Sequence, residues 1–257
     1  MEIEWSRLKA RELQDLARRD AIVVVPIGAT EQHGPHLPVM VDARLAGEVS
    51  LRAARIVAKQ QPIVVLPTIW CGMSEHHMSL GGTITLDFPT MFAVLRCVVR
   101  SLTRHGFKRI YILNGHGGNT APLDVIVTEL TVEFKIPLAY STYWTVAEGA
   151  IAKLLERQKA LLHACEAETS MIMALHPDLV DSEMLSQVQG VYIPGQNSID
   201  GVNPGVYRWR QLSSRSPIGV IGDASTASAA KGAKLIEAIA ADLAEAIGNP
   251  KLWAAPI

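Results

Sequence analysis

Cysteine is scarce in this chain of 257 residues: there are three, Cys71, Cys97 and Cys165. They are odd in number and none belongs to a C-x-x-C pair, which argues against a disulfide framework. No apolar run reaches membrane-spanning length. The first residues, Met1-Glu2-Ile3-Glu4-Trp5, also lack a basic region followed by an apolar core. No membrane partner is therefore expected, and the expected compartment is cytoplasmic. An excess of charge of one sign is missing too. The 24 Lys and Arg against 25 Asp and Glu leave a net charge of -1. That argues against a general polyanion-binding surface, and so against a nucleic-acid partner. There is no G-x-G-x-x-G, and no Lys and Ser/Thr follow the glycine turn at P-loop spacing. Low-complexity linkers and internal repeats are absent as well, so residues 1-257 are read as a single domain.

What is present is apolar and periodic. Hydrophobic residues make up 49% of the chain and charged residues 19%, with mean hydropathy +0.19, the balance of a chain that buries a sizeable core. Continuous apolar runs at 21–26, 62–66 and 109–113, with a weaker one at 137–141, predict strands covered on both faces. Between them, helical periodicity predicts helices over 6–19, 43–59, 89–105 and from the glycine turn to about 134. Further helices are predicted over 146–160, 165–175 and 225–247, and loops or short strands over 185–222. Alternation of this kind predicts an α/β fold, a three-layer α/β/α domain on a mostly parallel sheet.

Three stretches carry candidate chemistry. Asn114-Gly115-His116-Gly117-Gly118-Asn119 follows a strand and precedes a helix, so His116 stands at a carboxyl end, where open parallel sheets bind ligands. The glycines permit positive φ and close backbone approach; a phosphate cradle at the helix start is the rival reading. Gly28-Ala29-Thr30-Glu31-Gln32-His33-Gly34-Pro35-His36-Leu37-Pro38, leading to Asp42, follows the first strand. Glu31, His33 and Asp42 with His116 compose a hard site of carboxylate and imidazole, suited to Zn, Mn or Fe, and binuclear if the aspartate bridges. An N-cap is the ordinary alternative for Asp42, and His36 reads as a packed loop histidine. In His163-Ala164-Cys165-Glu166-Ala167-Glu168-Thr169-Ser170, the acids suit a helix first turn. His163 is a candidate acid or base, Glu168 a candidate carboxylate of the site, and Cys165 reads as buried and inert.

Taken together and in this order, these motifs resemble the creatininase (creatinine amidohydrolase) family, from about residue 15 to the Gly222-Asp223 turn and the helix after it. The resemblance implies an α/β/α metal-dependent hydrolase, a homo-oligomer and often a hexamer, with two divalent metal ions per subunit. It implies Glu31, His33, Asp42 and His116 as metal ligands, with Asp42 bridging. His163 is implied as proton donor to a leaving nitrogen, and Glu168 as a carboxylate that binds metal or orients the water. Gly72, Ser74 and His77 also match the family. Ser74, His77, Gly117, Gly118 and Trp144 are expected on the substrate side, Trp144 as a lid or stacking residue or as simple packing. Arg208 and Arg210, flanking Trp209, either grip an acidic substrate or are solvated.

The chain departs from the family at the glycine turn. Creatininases carry a metal-binding glutamate two residues after the turn's histidine, with an aromatic residue between; here those positions are Gly118 and Gly117. The departure turns the expectation away from creatinine itself and makes Glu168 the replacement ligand. The glycine version resembles formamide deformylases, a mycofactocin peptidase and hydrolases of oxidised inositol. The expected activity is hydrolysis of an amide-type C–N bond, in a cyclic amide or a formamide, within a small-molecule substrate. The alternatives are hydrolysis of an oxidised cyclic polyol such as a ketoinositol and, in another class, a non-catalytic phosphate-binding module.

Overall fold

Among the described residues, four strands form one parallel sheet in the order β2-β1-β3-β4. The computed structural model describes residues 2–190 and 207–255. The strands are β1 (Ile22–Ile27), β2 (Ile63–Val65), β3 (Arg109–Asn114) and β4 (Leu138–Thr142). Side chains alternate across a strand, so each strand feeds two cores. Ile22, Val24, Tyr111 and Leu113 join one cluster; Val23, Val25, Ile110 and Ile112 join the other. Helices cover both faces, which is why the strands read as unbroken apolar runs.

α1 (Ala10–Arg18), α3 (Phe88–Arg104) and α4 (Thr120–Phe134) supply the second cluster. α2 (Val41–Val57), α5 (Tyr143–Val146), α6 (Glu148–Leu154), α7 (Glu166–Leu175) and α8 (Ala229–Gly248) supply the first. The chain leaves β1 to one side for β2 and returns on the other side for β3. The loops at the carboxyl ends of β1 and β3 therefore diverge and leave a crevice between them. Gly28, at the exit from β1, lies so close to α2 that a Cβ would stand 2.4 Å from the Ala43 nitrogen. That contact holds the loop after β1 against the start of α2.

Two predicted helices are corrected. The segment predicted helical over 146–160 ends at Leu154. Beyond it the buried Glu166 carboxylate accepts the backbone amides of Glu156 and Arg157 at 3.1 Å, pinning the chain in a turn. The closing helix begins at Ala229 rather than 225, where the Ser228 hydroxyl accepts the Lys231 amide as an N-cap. The expected long loop over 67–87 contains a 3-10 turn, Glu75–Leu80. Cys71, Cys97 and Cys165 are all free thiols. Among the described residues, no helix is long and apolar enough to cross a membrane.

Candidate metal centre

Every chemical stretch named from the sequence ends at the carboxyl edge of the sheet. Glu31 and His33 lie on the loop leaving β1, and His116 on the turn leaving β3. Asp42 is not the cap of α2, which is Met40, but a residue of its first turn. Glu168 comes from the first turn of α7. The glycine turn works by close approach: none of Gly115, Gly117 or Gly118 has positive φ. Two asparagines stitch it. Asn114 accepts the His116 amide and donates to its carbonyl, while Asn119 donates to the Gly28 carbonyl and accepts the Met73 amide.

Asp42 stands at the centre. Its Oδ1 is 3.1 Å from His33 Nε2 and its Oδ2 is 2.9 Å from His116 Nδ1. Glu31 Oε2 lies 3.3 Å from His116 Nδ1, and Glu168 Oε1 lies 3.9 Å from His33 Nε2. Two groups able to hold a metal ion result, Glu31-Asp42-His116 and His33-Asp42-Glu168, with Asp42 common to both. Glu31, His33 and His163 form a third. Glu31 Oε2, His33 Nε2 and Asp42 Oδ2 are buried and make no hydrogen bond. Buried charged atoms are ordinarily paired or coordinate a cation, so this donor set fits divalent metal. The imidazoles are oriented for it. His116 Nε2 donates to the Met73 carbonyl at 3.1 Å, and His33 Nδ1 donates to the Glu31 carbonyl at 3.1 Å. The nitrogen left bare on each ring is the one that faces the carboxylates.

The electrostatics are those of crowded buried acids and imidazoles. Burial raises the pKa of Glu31, against the charge of His116. Burial likewise pushes Glu168 up to about 8, with His33 opposing. For His33 burial works downward, but Asp42, Glu168 and Glu31 outweigh it and raise the pKa to about 9. Burial favours neutral Asp42 too, yet His33 and His116 hold it well below the usual carboxylate range. His163 is held well below neutrality by burial and by its histidine neighbours.

The expected substrate-side residues are placed differently from one another. Gly117, Gly118, Trp144 and His163 line a cleft of about 340 Å³ with Glu31, Asp42, His116 and Glu168. Trp144 also packs edge-on against Tyr143, ring centres 4.9 Å apart. Ser74 is fully buried, its hydroxyl 3.2 Å from His116 Nε2, behind the centre rather than facing the cleft. His77 lines the cleft and meets Glu31 Oε1 at 3.3 Å and Gln32 Nε2 at 2.8 Å. His36 is packed as expected, its Nε2 2.8 Å from the Thr169 hydroxyl. Cys165 is buried, and burial lifts its pKa to about 12, which suits an inert thiol.

Sequence reasoning gave no role to Gln32, which contacts both His77 and His163 Nε2, the latter at 3.0 Å. Its position between Glu31 and His33 was the available signal. His76, marked in the sequence only as the neighbour of His77, and Arg215, which had no signal, also line the cleft.

The chain matches the creatininase family, described as creatinine amidohydrolase, over residues 6–247. Creatinine amidohydrolase of Pseudomonas putida is 30% identical to it, over 96% of this chain and 94% of that protein. A mycofactocin precursor peptide peptidase of Mycobacterium ulcerans (strain Agy99) is 29% identical, over 88% and 84%. A 3-dehydro-scyllo-inosose hydrolase of Thermotoga maritima is 25% identical, over 92% and 80%. Among solved structures, a manganese creatininase superposes with TM-score 0.77 at 26% identity, covering 96% of this chain and 98% of its own. A mutant creatininase of Zn–Zn type gives 0.76 at 26% identity, covering 96% and 97%.

Proposed function

The chain belongs to the creatininase family of metal-dependent hydrolases, and from that we propose that it cleaves an amide-type C–N bond, in a cyclic amide or a formamide, by addition of water. The observation that carries this reading is the pair of donor groups sharing Asp42, with unpaired buried oxygens and an unpaired buried nitrogen turned inward. Glu31, Asp42 and His116 would hold one divalent ion, and His33, Asp42 and Glu168 a second, either zinc or manganese. Such ions supply Lewis acidity, polarising a carbonyl and lowering the pKa of water.

The chain's own residues do the rest. Of the histidines next to Glu31 that line the cleft, His163 has the most exposed side chain, 15%, with Nδ1 3.8 Å from Glu31 Oε1. A neutral imidazole there takes a proton from the attacking water and passes it to the departing nitrogen. Gln32 fixes the far side of that ring. Trp144 offers a flat face to a planar substrate.

The likeness to the inosose hydrolase supports a second reading, hydrolysis of an oxidised cyclic polyol by the same centre. Family membership sets aside the non-catalytic phosphate module. Self-association belongs to the same proposal: Trp70, Ile84 and Val39, on segments that hydrogen-bond Thr30 and Glu31, expose apolar side chains, and sedimentation of the metal-loaded protein tests it.

His116→Ala and Glu31→Ala are expected to lose bound metal and turnover while keeping the fold. The measurements are metal analysis, circular dichroism and a panel of lactams, formamides and ketoinositols. Full metal content in either variant would refute the ligand assignment, and turnover of ketoinositols alone would favour the second reading.

A further inference from the structure

Beside the metal cleft lies a second cavity of about 370 Å³. His76, Gly117, Gly118 and Arg215 line both, so the partition is an imidazole edge, a guanidinium and bare glycine backbone. At Gly117 a Cβ would meet open space; at Gly118 it would strike the Met73 carbonyl oxygen at 2.2 Å. A side chain at 118 cannot be accommodated without moving backbone, and the backbone at 117 borders both cavities.

The two cavities differ in chemistry. The inner one presents carboxylates and imidazoles. Among the described residues that line the outer one are Arg208, Arg210 and Arg215, with Glu75 the one carboxylate in that described lining. Three guanidinium groups on one cavity wall are a concentration of donors that the inner cleft, with Arg215 alone, does not have. Trp209 stands beside these arginines, 51% exposed, and Pro122 with Met73 adds apolar surface.

Guanidinium groups grip carboxylate and phosphate oxygens in fixed, often bidentate geometry, and an indole face takes a flat ring. We propose that the outer cavity is a subsite for an anionic group, carboxylate or phosphate, borne on a planar or apolar body, so that the amide cut at the metal centre belongs to an anionic molecule. The proposal rests on the hydrolase reading for the role of the inner cleft, and it narrows the substrate class from amides in general to anionic ones.

The test uses the metal-loaded protein and three formanilides alike at the amide and different only in the para position: unsubstituted, carboxylated and phosphorylated. Binding of the corresponding amines is followed by calorimetry, and turnover of the amides separately. The charged amines should bind about tenfold tighter than aniline, as expected for a charge-assisted contact. The preference should vanish in Arg208→Gln/Arg210→Gln with metal content unchanged. The better of the two anions identifies the group.

Equal binding, no binding of any amine, or a preference that survives the double variant would overturn the subsite. If instead the preference holds and none of the amides is hydrolysed, it is the amide-hydrolase reading that fails and the subsite stands.

Discussion

Glu166 and Glu168 are two positions apart on the first turn of α7, both buried, and they do opposite work. Residues two apart on a helix point to nearly opposite sides. Glu168 turns one oxygen to His33 and accepts the Ala164 amide with the other. Glu166 turns away, accepting the amides of Glu156 and Arg157 and pairing with Lys231. Glu166→Gln should therefore cost about 3–5 kcal/mol, the range for breaking a buried ion pair, with metal content retained. Glu168→Gln should do the reverse: near-native stability, and metal affinity down by at least the roughly 10–100-fold that loss of a ligand's supporting partner already costs. Urea titration and metal analysis of both variants check this, and the opposite pattern would exchange the two roles. The sequence favours Glu168 for the site but does not show what holds Glu166, because its partner, Lys231, lies 65 residues away. His33, Asp42 and His116 were legible, since the loops that bear them follow strands whose carboxyl ends must meet at a parallel sheet's edge.

At the level of elements, the site depends on how closely α7 and α8 cross. Gly232 of α8 lies against α7 so tightly that a Cβ would stand 1.8 Å from the Ser170 carbonyl oxygen. Alanine is the better helix former by about 1 kcal/mol, but here the helices must part to admit it, an overpacking that costs about 1–3 kcal/mol or more. Gly232→Ala is expected to destabilise on balance. It should also lower metal affinity, because Glu168 rides on the helix that is displaced. Gly149 in α6 is the control: its Cβ meets nothing within 4 Å, so Gly149→Ala should stabilise by about 0.5–1 kcal/mol. Thermal melts with and without saturating Mn²⁺ separate the two effects; equal gains from both variants would show that the crossing tolerates a methyl group. The strands and most helices were legible because their burial writes itself as runs and periods. The end of α6 was not, since it is imposed by Glu166 from across a turn rather than by a local breaker.

At the scale of the whole molecule, the fold gathers acids and imidazoles at one sheet edge and seals them from water, so metal, protons and stability are linked. Metal-free, His33 is raised to about 9 and Glu168 to about 8. Both thus hold protons more tightly in the folded chain than in the unfolded one. Their stabilising contribution is complete below the unfolded values, 6.5 for the histidine and 4.5 for the acid. It is lost as pH climbs through about 9 and about 8 respectively. Asp42, depressed by His33 and His116 against burial, contributes above its unfolded 3.8 and loses that only in acid. Metal needs the deprotonated ligands, so binding near neutrality must expel protons, and affinity must rise with pH over the window in which His33 and Glu168 give theirs up. Between about pH 6 and pH 9 the chelator-treated protein should lose thermal stability, while the Mn²⁺-loaded protein should hold it, the gap widening as the affinity rises. Calorimetric titration of Mn²⁺ in two buffers of different ionisation enthalpy at one pH reads the released protons directly. Identical heats in the two buffers would mean that binding expels no protons, and His33 and Glu168 would then have no place in the metal shell.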